Sequence, residues 1–265
     1  MIYLKTEEEI ELLRQSNLLV GRALAEIAKS VKPGVTTLQL DRIADEFIRD
    51  HGAVPTFKGF PNPWGIPFPA SICASVNDEV VHGIPNSRPL QEGDIVSVDC
   101  GTLLNGFCGD SAYTFCVGEV DAEIRRLLKV TKEALYKGIE NAVHGKRIGD
   151  IGAAVQEHCE KASYGVVREF VGHGIGKKMH EDPQVPNYGR RGYGELLKQG
   201  MCIAIEPMVT LSDYHVRMDA DRWTVRTKDG RCAAHFEHTV AVRKGKAEVL
   251  SSFEFIEEVL GDQAI

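Results

Sequence analysis

The sequence predicts an α+β fold with a mostly antiparallel sheet, and two observations carry that prediction. Within DIVSVDCGTLLNGFCGDSAYTFCVG (94–118), two apolar, β-branched-rich runs flank Asn105-Gly106. Asn-Gly in that setting is a strong hairpin signal, because a type I′ turn needs positive φ at both central residues. The second observation is an order of elements, helix, glycine, helix, glycine, strand, that occurs once before the hairpin and once after it. Hairpins together with segregated helices suit α+β architecture better than a doubly wound parallel sheet.

The elements follow in order. Thr6 to Ser30 reads as an amphipathic helix opened by the capping box Thr6-x-x-Glu9, with Ile10, Leu13, Val20, Leu24 and Ile27 at helical spacing. Pro33-Gly34 ends it. A second helix spans about Thr37 to His51, Gly52 stops it, and a strand is expected near Ala53 to Phe57. KGFPNPWGIPFP (58–69) holds too many prolines for a strand and is too aromatic for a linker, so it is expected as an ordered loop lining a pocket. After the hairpin come helices over about Asp121 to Val143 and Ile148 to Ala162, then Gly165 and a strand from Val166 to Val171. Two further strands are expected, one over Met201 to Glu206 and one over Ala233 to Val242. The repeated order suggests one catalytic domain over 1–265, built from two related halves, about 1–118 and 119–265, with a cleft between them.

Composition narrows the function classes. A chain of 265 residues with 43% hydrophobic and 26% charged residues is ordinary for a globular protein. A net charge of −7 argues against DNA as a main partner. The N-terminus, MIYLKTEEEIELL, turns acidic at once and has no apolar signal-peptide core, and no run is long enough to span a membrane. Seven cysteines without a CxxC pair point to a reducing compartment, so a cytoplasmic protein is expected. Monomer is the expected state.

The hairpin also begins the chemistry. With a two-residue turn, Asp99 faces Ala112, so Asp99 and Asp110 are diagonal neighbours on one face, with Cβ atoms roughly 7 Å apart or less. A solvated surface would make such a pair unremarkable. Valines and aromatics on both faces argue instead for burial, which two carboxylates tolerate only around a cation or a shared proton. Further candidates lie on or beside apolar strands. His173 sits between glycines in VGHGIG (171–176), with His180 seven residues on. Glu206 ends the run MCIAIE (201–206), and Glu237 lies in the middle of AAHFEHTVAV (233–242), on the same face as His235 and Thr239. A lone histidine is more often structural, and a strand-end glutamate is more often solvated. Together, however, Asp99, Asp110, His173, Glu206 and Glu237 form an oxygen-rich set with one imidazole, suited to Mn, Fe(II), Co or Mg, with Zn open. Four carboxylates carry −4, which two divalent cations balance.

At this point the chain resembles a known family. VNDEVVHGIP (76–85), VDCG with a GD whose aspartate falls eleven residues after Asp99, GHGIG with His180, IEPM (205–208) and HFEHT (235–239) are similar to methionine aminopeptidases of the short, type I class. The resemblance implies the pita-bread fold and removal of N-terminal methionine from nascent proteins whose second residue is small. It implies that Asp99 chelates one metal, His173 and Glu206 the other, and that Asp110 and Glu237 bridge both. It further implies catalytic roles for His82, His180 and Glu206, with a hydroxide shared by the ions as nucleophile. Cys73, Phe68 and Trp223 would then wall the methionine pocket, with His82 over the substrate amide or amine and His180 beside the scissile carbonyl, and transient ribosome contact would follow. The rival readings are an Xaa-Pro peptidase on the same fold and a non-catalytic peptide- or ribosome-binding relative.

Overall fold

The computed structural model describes residues 1–265. In chain order the elements are α1 (Glu7–Ala28), α2 (Thr37–Asp50), β1 (Val54–Pro55), β2 (Ile72–Val76), β3 (Glu79–Val81), β4 (Ile95–Leu104), β5 (Phe107–Cys116), α3 (Ala122–Ile139) and α4 (Ile148–Lys161). There follow β6 (Gly165–Val166), β7 (Gly172–Gly174), β8 (Glu181–Val185), β9 (Cys202–Ile205), β10 (Met208–Thr210), β11 (Val216–Met218), β12 (Val225–Thr227), β13 (Ala233–His235), β14 (His238–Ala241), β15 (Glu248–Val249) and α5 (Glu254–Leu260). Every strand pairing is antiparallel. The fold is α+β, as the sequence predicts. No helix is long and apolar enough to cross a membrane.

Local chemistry explains the helices. At α1 the Thr6 hydroxyl accepts the Glu9 N–H at 3.3 Å while the Glu9 carboxylate accepts the Thr6 N–H at 3.1 Å, so two otherwise orphaned donors are satisfied. Its apolar stripe, Ile10, Leu13, Val20, Leu24 and Ile27, is buried. Thr36 and Gln39 repeat the device at α2. Helix α3 ends at Ile139, short of the expected Val143: the Asn141 amide donates to the Lys137 carbonyl at 2.8 Å, and Val143 leaves to bridge Arg243. The helices pack on the sheets, α1 on β4 and β5, α3 on β9, β10 and β13. Between them a buried core runs from Leu19 through Val98, Phe115, Leu128 and Ile205 to Ile256.

The central hairpin matches its expected register. Ile95 pairs with Cys116 and Leu104 with Phe107, closed by Asn105 at φ 52° and Gly106 at φ 81°. β4 also carries β2 and β1 on its other edge. Elsewhere two expected strands are corrected. The strand near Ala53 to Phe57 shrinks to the two residues of β1. The strand expected over Val166 to Val171 is only β6, because the chain must leave β10 and cross to β9, where β7 pairs. His173 therefore lies within a strand rather than in a loop after one, and its flanking glycines serve packing. A Cβ on Gly172 would lie 2.3 Å from the Ala204 carbonyl oxygen, and one on Gly174 would lie 2.1 Å from that of Asp182.

Of the last two expected strands, the first ends at its carboxylate as expected, and the second is broken in the middle. β9 and β10 part at Glu206-Pro207, and β13 and β14 part at Phe236-Glu237. Met208 pairs with His235 and Ile205 with His238, so both sides of the break keep one register. Proline has no N–H to give the ladder, and the Glu237 N–H turns away to the Ala112 carbonyl of β5 at 2.9 Å. The break thus joins the ribbon of β9, β10, β13 and β14 to the central hairpin. The Thr239 hydroxyl donates to the Asp110 carbonyl at 3.0 Å, and the Ser111 hydroxyl to the Glu237 carbonyl at 2.7 Å.

Candidate metal centre

The two joined ribbons bring the five candidate ligands to one cavity of about 210 Å³, lined by Asp99, Asp110, His173, Glu206 and Glu237. Asp99 and Asp110 leave the same face of β4 and β5, two pairing positions apart. Glu206 and Glu237 fall opposite one another at the shared break. The His173 Nε2 lies 3.6 Å from Asp110 Oδ2 and 3.6 Å from Glu206 Oε1. One donor atom each from Asp110, His173 and Glu237 lie within 4.8 Å of one another.

The residues fit a divalent metal on the chemistry of the donor set. Asp99 Oδ1, Asp110 Oδ1 and Glu237 Oε1 are buried without a hydrogen-bond partner. Buried polar atoms are normally satisfied, so three orphaned carboxylate oxygens converging on one cavity call for a cation. The Nδ1 of His173 lies 2.9 Å from the Gly174 carbonyl, which can only accept. Nδ1 therefore carries the proton, and the Nε2 lone pair faces the carboxylates, the tautomer a ligand needs.

Electrostatics says the same. Without a cation, burial pushes Asp99, Glu206 and Glu237 well above the usual carboxylate range, reinforced by their mutual repulsion. Burial likewise pushes Asp110 up to about 8. Desolvation holds His173 down to about 4, so its imidazole is neutral at pH 7.

The remaining expected residues divide between the walls and the mouth. Phe68, Cys73, His82 and Trp223 line the same cavity. Phe68 packs edge-on against Trp223 at 5.1 Å, and Cys73 pairs with Asp99 across β2 and β4. His82 follows β3 with φ 58°, a left-handed conformation costly for a residue with a Cβ. Its ring meets Phe170 at 5.4 Å and Trp223 at 5.9 Å, and burial holds it down to about 4. His180 stands at the mouth, 4.4 Å from the His173 ring and 5.2 Å from Phe60. The loop 58–69 is ordered, as expected: the Asn62 carboxamide oxygen accepts the N–H groups of Trp64 and Ile66, and Pro61 bridges Pro67.

Sequence reasoning gave no role to Phe60, Phe170, Met208 or His235. The first three line the cavity; Phe60 belongs to the aromatic loop 58–69 already expected to line a pocket, and nothing local marks Phe170 or Met208. His235 had a signal, since alternation puts it on the face of Glu237. Its Nε2 is buried, unpartnered and 3.7 Å from Glu206 Oε2.

An α+β ribbon pair closing five metal-type donors, three buried and two half-buried, beside an apolar pocket defines a metal-dependent hydrolase centre. Residues 11–244 match metallopeptidase family M24, and the chain belongs to that family. Its similarity runs along the full length of methionine aminopeptidases. It is 53% identical to the methionine aminopeptidase of Clostridium acetobutylicum over 255 residues, 96% of this chain and 100% of that one. It superposes on the crystal structure of the methionine aminopeptidase of Rickettsia prowazekii with a TM-score of 0.92 at 41% identity, covering 95% of this chain and 100% of that one. An Xaa-Pro dipeptidase from Bacillus anthracis shares the fold at a TM-score of 0.74 and 23% identity, with 62% of that chain covered. The fold is therefore the pita-bread fold of these enzymes, and the chain is a hydrolase that uses divalent metal.

Proposed function

We propose that this protein removes the N-terminal methionine from peptides and nascent proteins whose second residue is small, with two divalent ions held by its five donors. Asp99 would hold one ion, His173 and Glu206 the other, and Asp110 and Glu237 both. The single observation that carries this reading is the set of orphaned carboxylate oxygens in a small cavity with an apolar end. Four buried carboxylates balance two divalent cations, whereas one would leave −2 uncompensated. Bound ions supply Lewis acidity toward a carbonyl oxygen and bring the pKa of water toward neutrality.

The chain's own residues do the rest. At about 210 Å³ the cavity takes one side chain rather than an extended chain, and Phe68, Cys73 and Trp223 give it the apolar walls a thioether requires. A wider groove of about 900 Å³ starts from the same His173 and His180. A small, partly apolar cavity joined to a wider groove suits an exopeptidase, with the free amine at the acidic cluster and the remaining peptide outside. In this reading Glu206 takes the proton of the attacking water. Burial holds His82 below the ordinary histidine value, and His180, open at the mouth of the cavity, is lowered by partial desolvation and the neighbouring His173, so both are neutral at pH 7. Each can therefore donate one N–H, His180 to the oxyanion and His82 to the amide.

The seven cysteines are all free, which supports a cytoplasmic protein. We read the chain as one catalytic unit of two related halves, acting as a monomer with transient ribosome contact. Metal analysis of protein purified without added metal, with turnover on Met-Ala-peptide across Mn, Fe(II), Co and Zn, tests the function. Faster cleavage of Ala-Pro than of Met-Ala peptide would favour the Xaa-Pro rival, and metal uptake without turnover on either would favour a binding protein.

A further inference from the structure

Helix α1 buries two polar residues, Ser16 and Asn17, in its otherwise apolar face, both fully out of solvent. Aliphatic side chains are the ordinary choice there, and an amide is costly to bury unless it meets a partner that needs it. The partner lies on β5. The two-residue turn makes the odd-numbered residues of β5 the hydrogen-bonded partners of β4, so the N–H and C=O groups of Cys108, Asp110 and Ala112 face outward. The Cys108 N–H reaches the Gly176 carbonyl at 2.8 Å, and the Ala112 carbonyl takes the Glu237 N–H at 2.9 Å. Between them no strand main chain reaches the Asp110 N–H. The side-chain oxygen of Asn17 accepts it at 3.1 Å, while the Asn17 amide nitrogen donates to the Leu13 carbonyl at 2.9 Å. On the other side of the same residue, the Thr239 hydroxyl donates to the Asp110 carbonyl at 3.0 Å.

The helix is seated closely enough to make this contact rigid. A Cβ on Gly109 would lie 2.5 Å from the Ser16 carbonyl carbon and 2.7 Å from the Asn17 nitrogen. The Ser16 hydroxyl also meets that of Thr102 at 2.8 Å, across the pair that precedes Asp110.

We propose that Asn17 is a positioning residue of the metal centre. By fixing the peptide N–H of Asp110 against α1, it sets the direction in which the Asp110 carboxylate leaves β5, and it completes, with Thr239, a clamp that reaches Asp110 from both ends of the chain. This rests on the metal site described above, and Asn17 itself touches neither metal nor substrate.

The test compares the wild-type chain with Asn17→Leu, which keeps the branched shape but has no acceptor, and with Asn17→Asp, which restores an acceptor oxygen. Each is stripped of metal and titrated with Mn²⁺ by calorimetry and with Co²⁺ by visible absorption, and the thermal midpoint of the metal-free protein is recorded. Asn17→Leu should bind Mn²⁺ about tenfold more weakly and shift the cobalt bands, and Asn17→Asp should return the bands toward the wild-type position. A merely structural contact would lower the metal-free midpoint and leave both metal readouts unchanged, and that result overturns the proposal. Should Asn17→Leu not fold, Asn17→Ser, too short to reach the Asp110 N–H, is measured in the same way. Wild-type protein that takes up neither ion would overturn the parent reading instead, so the two failures are distinguishable.

Discussion

Glu206 and Glu237 stand opposite one another at the only point where their two strands stop pairing. The break is what frees both carboxylates to turn into the cavity. Pro207 denies the ladder a donor, and the Glu237 N–H is spent on β5. Each glutamate thus leaves a rigid strand end rather than a mobile loop, which suits ligands that must hold their geometry.

Asp110→Ala or Glu237→Ala should abolish metal binding and activity together. Each removes a buried donor at the centre of the cluster and leaves the other carboxylates to repel one another. Metal content after dialysis and turnover on Met-Ala-peptide check this. Full metal content in either variant would contradict the assignment.

His180→Ala should leave metal content unchanged and lower kcat by roughly 10²-fold, the scale of losing one donor to a developing oxyanion. A kcat equal to wild type would remove His180 from the mechanism.

Trp223→Ala should act on binding more than on chemistry. Its ring packs on Phe68 and His82 at the apolar end of the cavity. Losing that wall should cost roughly 1–3 kcal/mol of discrimination for methionine over smaller N-terminal residues, read as a higher KM on Met-Ala-peptide with metal content intact.

The metal-free protein should lose stability as pH rises from about 6.5 to 8. Asp110 has a folded pKa of about 8, above its unfolded value, so its stabilising contribution is present at low pH and is lost as pH rises through about 8. Asp99, Glu206 and Glu237 shift in the same direction. The buried histidines His173, His235 and His238, at about 4, 3 and 3, and the half-buried His82 at about 4 oppose this only below their unfolded value near 6.5. Protein loaded with Mn²⁺ should show a flat thermal midpoint over the same interval, since the ions keep the carboxylates ionised. A metal-free midpoint that rises toward pH 8 would contradict the buried cluster.

Gly109→Ala should destabilise the fold by about 1–3 kcal/mol, because the added methyl meets the backbone of α1 rather than a movable side chain. Urea denaturation of the metal-free protein measures it.

Much of this site was legible in the sequence because its signals are local. Asn105-Gly106 set the hairpin register, and the register put Asp99 and Asp110 on one face without any knowledge of what surrounds them. Thr6 and Glu9 marked the start of α1 in the same way. The five candidate ligands were readable because acids in apolar strands are rare and need a cause.

What only the tertiary structure decided depends on which element meets the outer edge of β5. The breaks at Glu206-Pro207 and Phe236-Glu237, the place of His173 within a strand, the approach of His235 to Glu206 and the bond from Asn17 to Asp110 all join residues far apart in the chain. Periodicity reports the face a side chain takes, but not the partner that face will find. A backbone donor left outside its ladder is satisfied by whatever packing brings near, and that is fixed only when the whole core closes.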